Sequence, residues 1–131
     1  MTARNRAGGG LGLALLAVLA YVPQVLTEPG VVAADTKTYL YLDPSRLLRQ
    51  APSMWDPGIG MGTVTHQNIG YLWPMGPWFW LFDRLGAPPW VAQRLWLGSI
   101  LFVAGLGVRY LMKALGQRGP HVTAATFLYA L

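Results

Sequence analysis

From Leu11 to Leu26 the chain runs almost without interruption through apolar residues. With its flanking glycines this stretch reaches the ~17 to 20 residues an α-helix needs to cross the hydrocarbon of a bilayer. A second such stretch runs from near Val91 to about Leu115, with Arg94 at one end and Arg109 and Lys113 at the other. Of the 131 residues 53% are hydrophobic and only 11% charged, too apolar and too weakly charged for a soluble domain of this size. The apolar surface must therefore meet lipid or other helices. Six tryptophans and six tyrosines suit the bilayer boundary, where amphipathic rings concentrate.

The net charge of +5 does not point to nucleic acid, because the cations stand at the ends of apolar runs and form no single stripe. Arg4 and Arg6, with no acid nearby, favour a cytoplasmic N-terminus, so the first helix should emerge on the outer face near Thr27, kinked at Pro23. A secretory signal peptide is the alternative, since Val32, Ala33 and Ala34 offer small residues for cleavage before Asp35. Against it, the apolar core exceeds a usual signal h-region and the chain beyond stays membrane-like. With no cysteine there is no disulfide framework and no thiolate chemistry.

The expected architecture is an all-α polytopic membrane protein. It has a span at about 8–27, an outer loop at 28–68, a short span or re-entrant segment at 69–84, a span at about 91–115, and the start of a further span at 121–131. That last segment covers only about half a membrane, which reads as part of a larger polypeptide. Within the loop, Asp43 is placed to cap a short helix that opens on Pro44 and runs to about Ala51. Its leucines group on one side and Arg46 and Arg49 on another, so it can lie flat at the interface. Gly98, Gly105 and Gly107 would permit close helix packing. The charge rule puts Arg109, Lys113 and Arg118 in the cytoplasm if residues 69–82 do not cross; a three-span reading puts them outside.

Four groups could carry chemistry. Asp35 stands just beyond the outer end of the first helix, where a carboxylate can serve as general base toward an aqueous hydroxyl while a lipid-linked donor approaches from the membrane. Its bland alternative is a cap or an ion pair with Lys37 or Arg46. Arg46 and Arg49 match phosphate oxygens, whether of an isoprenoid phosphate or of ordinary phospholipid. Thr65, His66, Gln67 and Asn68, followed by Tyr71 and Trp73, combine amide and imidazole hydrogen-bonders with aromatic faces, as a sugar-binding lining or an interfacial anchor does. A lone His66 makes no metal site. Finally, Gly58-Ile59-Gly60-Met61-Gly62 has the wrong spacing for a nucleotide loop and no strand is expected before it; Trp55-Asp56-Pro57-Gly58 reads as a turn in which Asp56 stabilises the backbone. Asp83-Arg84 and Arg94 read as interfacial charges.

The runs ADTKTYLYLDPSRLLRQAPSMWDP and HQNIGYLWPMGPWFWLFDRLGAPPWVAQRLWLGS are more specific than any of these motifs. They resemble the N-terminal part of the mycobacterial and actinobacterial alpha-(1→3)-arabinofuranosyltransferases, which are large GT-C enzymes. The resemblance implies GT-C-like transmembrane helices with an extracytoplasmic first loop containing short juxtamembrane helices, in the inner (plasma) membrane. It implies transfer of D-arabinofuranose from decaprenyl-phosphoryl-arabinofuranose to an arabinan of arabinogalactan or lipoarabinomannan. Asp35 takes the place of the GT-C loop acid. Lys37, Arg46, Arg49, His66, Gln67, Asn68, Tyr71 and Trp73 become binding residues. GT-C enzymes often pair acids here, whereas Asp35 has no acid beside it and the next one along the chain is Asp43, so no cofactor follows directly and a divalent cation is an open expectation. A non-enzymatic transporter or assembly subunit is the competing class; it should show charged or broken helices at the midplane.

Overall fold

The computed structural model describes residues 3–32, 39–64 and 68–131, and it is mostly helical. The chain divides into two compact units, residues 1–29 with 94–131 and residues 30–93.

The first unit is built from α1 (Ala3–Leu26), the larger part of α5 (Pro89–Ala114) and α6 (Pro120–Ala130). Inside such helices the backbone groups bond within the helix, the condition for crossing lipid, except at Pro23 of α1, which has no N–H to give. Pro89–Ala114 is long and apolar enough to span, and only 11% of its most apolar window is buried, so its hydrocarbon surface is not the core of a soluble fold. Gly10–Leu26 of α1 is a shorter apolar helix.

The two helices pack antiparallel. A Cβ on Gly105 would stand 2.8 Å from a Leu16 methyl and 3.1 Å from the Ala130 Cβ; one on Gly98 would stand 3.0 Å from the Ala20 carbonyl oxygen and 2.5 Å from the Tyr21 ring. Nearer the start of α1, Gly12 lies by Arg109, with 3.8 Å from its Cβ position to the guanidinium. Leu16 and Ala20, one turn apart, are completely buried in this seam. The Tyr21 hydroxyl bonds Ser99 Oγ at 2.9 Å. Because Ser99 donates its own proton to the Leu95 carbonyl at 2.8 Å, the tyrosine is the donor. The sequence is thus read in opposite directions along the seam, with Gly12 in the first half of α1 beside Arg109 in the last turns of α5. α6 adds Val122, Thr126 and Ala130 at four-residue spacing as its buried edge, and Thr126 returns its hydroxyl to the Val122 carbonyl at 2.8 Å. Gly107 departs from expectation, since nothing lies within 4 Å of its Cβ position.

The second unit holds α2 (Tyr39–Leu42), α3 (Pro44–Gln50), a hairpin of β1 (Trp55–Asp56) and β2 (Thr63–Val64), a 3-10 turn (Asn68–Tyr71), α4 (Met75–Arg84) and the first turn of α5. Leu40, Leu47, Phe79 and Ala92 form its core, with Tyr41, Tyr71, Met75, Trp78 and Phe82 packed around them. Two polar tips find partners: Trp78 Nε1 donates to the Ala92 carbonyl at 3.0 Å, and Gln93 Nε2 donates to the Tyr41 hydroxyl at 3.1 Å. α4 has ten residues. At 1.5 Å per residue it rises about 15 Å, half the thickness of the hydrocarbon.

Gly105→Val should force α1 and α5 apart and destabilise the bundle by about 1–3 kcal/mol. Gly107→Val, with the same change in helix propensity but no neighbour to meet, is expected to leave the melting temperature in detergent within a degree or so of its parent less the propensity cost common to both. A melting temperature lowered equally by the two would show that the seam is not where the helices touch.

Candidate functional site

Helix α3 is built by its first two residues. The Asp43 carboxylate accepts the Arg46 backbone N–H at 2.8 Å, and Pro44 occupies the position where a missing N–H costs nothing. Leu47 turns inward to 4% exposure. Arg46 and Arg49 stay exposed, and Arg46 Nε donates to Gln50 Oε1 at 3.2 Å, one turn along the same helix.

The following loop closes as a small hairpin, so a short strand does precede the glycine-rich run. Trp55 pairs with Val64 and Asp56 with Thr63. Gly62 has φ +101°, and the Trp55 indole occupies the space where its Cβ would stand; only glycine satisfies both demands. Asp56 stabilises the turn as expected, its Oδ1 accepting the Gly58 N–H at 2.8 Å, but it is also buried to 4% exposure. A Cβ on Gly58 would lie 3.1 Å from both Asp56 Oδ1 and Arg46 Nη2. The guanidinium of α3 and the buried carboxylate therefore converge on one glycine.

Of the other candidates, Asp35, Lys37, His66 and Gln67 lie outside the described residues. Asn68 opens the 3-10 turn, and its side chain is likewise outside. Tyr71 is half-buried against the core, and Trp73 is 77% exposed. Among the described residues no three carboxylates or histidines gather as metal ligands. Asp83 lines a water-sized recess with Tyr41, Phe79 and Ala92, while the Arg84 guanidinium lies 5.7 Å from the centre of the Trp80 ring. Arg94, read from the sequence as an interfacial charge, is 9% exposed, close to its neighbour Gln93 at 7%. Burial of Gln93 involves Tyr41, a residue far along the chain.

Residues 18–131 match the family described as alpha-(1->3)-arabinofuranosyltransferase, N-terminal GT-C domain. The chain belongs to this family. It is 40% identical to the alpha-(1->3)-arabinofuranosyltransferase of Mycobacterium tuberculosis over 71% of its length, and 42% identical to that of Mycolicibacterium smegmatis over 68%. It spans only 7% and 6% of those two relatives. The fold likewise matches the cryo-EM structure of arabinofuranosyltransferase AftD from Mycobacteria, at a TM-score of 0.77 and 34% identity, covering 86% of this chain and 9% of that one. A mutant form of the same protein matches at a TM-score of 0.80 over 90% of this chain. The likeness to the arabinofuranosyltransferase family thus includes both units described above.

Asp56→Ala removes the acceptor that holds the turn beneath Arg46, at a cost of about 1–3 kcal/mol for the buried N–H left behind. Limited proteolysis should cut the variant faster between Ser53 and Val64. Unchanged cleavage would mean that the strand pairing alone holds the hairpin.

Proposed function

We propose that this chain is the donor-side, N-terminal part of a membrane-embedded arabinofuranosyltransferase that takes D-arabinofuranose from decaprenyl-phosphoryl-arabinofuranose and adds it to an arabinan of the cell wall. The carrying observation is the family match, which begins inside α1 and continues through the loop that holds two exposed guanidiniums on a capped, preformed helix. In this reading α1 and α5 span the inner membrane with their basic ends in the cytoplasm, as the antiparallel seam supports. Residues 28–88 then lie on the extracytoplasmic side, with α2, α3 and α4 at the membrane surface.

Asp35 lies in sequence between the end of α1 at Leu26 and the start of α2 at Tyr39, the place of the loop acid in GT-C enzymes. Its carboxylate takes the proton of the acceptor hydroxyl as that oxygen attacks the anomeric carbon. The bond from the anomeric carbon to the phosphate oxygen breaks, its electron pair leaves with decaprenyl phosphate, and Arg46 and Arg49 hold the departing anion. Lys37, His66, Gln67, Asn68, Tyr71 and Trp73 complete the donor and acceptor contacts. Exclusion of water favours transfer over hydrolysis. The relatives are more than ten times longer, so the acceptor groove is completed by further domains and these 131 residues alone are inactive.

In the complete enzyme, Asp35→Asn should preserve expression and membrane insertion yet lower arabinose transfer from the lipid-linked donor by about 10²–10⁴-fold. Activity within a few fold of the parent would remove Asp35 from the chemistry. Arg46→Ala combined with Arg49→Ala should raise the KM for the donor and leave that for the acceptor near its starting value; equal rises for both would assign these arginines a structural role only.

A further inference from the structure

Between Ala51 and Val64 the sequence contains one charged residue, Asp56, and the fold withdraws it to 4% exposure. The large side chains of the same segment are turned the other way. Met61 is fully exposed at 103%, Met54 at 61%, Trp55 at 54% and Ile59 at 50%. This is not a slack loop. Ser53 Oγ donates to the Trp55 carbonyl at 3.0 Å and receives the Trp55 N–H at 3.3 Å, the Gly62 N–H closes on the Ile59 carbonyl at 3.0 Å, and the indole is seated on Gly62. A hairpin that buries its only charge and holds three or four large apolar groups outward is built for an apolar medium. Beside it the Arg46 guanidinium reaches the Gly58 turn, and Arg49 is exposed on the same helix as Arg46. Exposed apolar side chains, an indole and guanidiniums are the groups that acyl chains, the bilayer boundary and head-group phosphates respectively take up.

We propose that residues 53–64 form a lipid-inserting hairpin, with Met61 and Ile59 among the acyl chains, Trp55 at the boundary, and Arg46 and Arg49 at the level of the phosphates, where they meet anionic lipid while no donor is bound. The occupant is the bilayer itself. A polypeptide partner would have no need of paired guanidiniums beside an otherwise uncharged tip. The hairpin rests on the membrane placement of α1 and α5 and is independent of the role of Asp35.

The test uses the complete protein reconstituted in phosphatidylcholine vesicles containing phosphatidylglycerol. An environment-sensitive fluorophore is attached at Met61→Cys, where the native side chain packs on nothing, and in a second sample at Val103→Cys on the exposed face of α5. These 131 residues contain no other cysteine, and the unsubstituted protein, treated alike, subtracts any label elsewhere. The label at position 61 should be quenched by acyl-brominated lipid to within about twofold of the one at position 103, and aqueous iodide should quench it several-fold less than a free label. Arg46→Gln with Arg49→Gln should abolish the rise in this quenching with phosphatidylglycerol content. Quenching by iodide alone would overturn the proposal and place the hairpin in water. Shielding from both quenchers would overturn it too, by showing the tip covered by other parts of the polypeptide. Lipid quenching at 103 but not at 61 leaves the membrane placement standing and removes the hairpin; absence at both positions removes the membrane placement itself.

Discussion

The seam between α1 and α5 is the contact on which the membrane part of this chain depends. In lipid, apolar side chains gain nothing by leaving one hydrocarbon for another, so helices associate through close backbone approach and a few hydrogen bonds. Gly98 and Gly105, two turns apart on α5, supply the approach by receiving Tyr21 and Leu16. The Tyr21–Ser99–Leu95 chain of hydrogen bonds fixes the register and leaves each hydroxyl proton with an acceptor. Antiparallel packing is then a matter of which small residues face which large ones.

The loop unit is held by a different economy. Its core is aromatic, with the Tyr41 and Phe79 rings edge to face at 5.1 Å and Trp78 against Phe82 at 5.0 Å. Such rings bury much area at little cost in rotamer entropy and anchor their polar tips on the Ala92 carbonyl and the Gln93 amide. This makes a small unit rigid enough to present α3 in one orientation. The Asp43 cap, the inward Leu47 and the Gln50 contact order Arg46 on that helix.

Local chemistry in the sequence located what is local in the structure. Asp43 followed by Pro44 marks the start of α3 within the residue, because a cap and a proline both act on the backbone beside them. The apolar runs locate α1 and α5 for the same reason, since span length is a property of a contiguous segment. What was not legible involves partners distant in the chain. Gly107 looks like Gly105 until the neighbouring helices are in place, and Arg94 looks like a surface cation until it is seen at 9% exposure. The hairpin escaped for a subtler reason: each strand is only two residues long, too short for any alternation to register, and it is set by a tryptophan resting on a glycine seven positions later. The candidate site follows the same division, with the positions of Arg46 and Asp56 foreseen and their convergence on Gly58 not.

That convergence links α3 to the turn. Asp56 Oδ1 accepts the Gly58 N–H, and the Arg46 guanidinium stands beside the same glycine. Had the acid been absent, the turn N–H would be unsatisfied and the tip unanchored. The arrangement therefore sets a buried carboxylate and an exposed guanidinium on one turn, so that any side chain added at Gly58 must displace both.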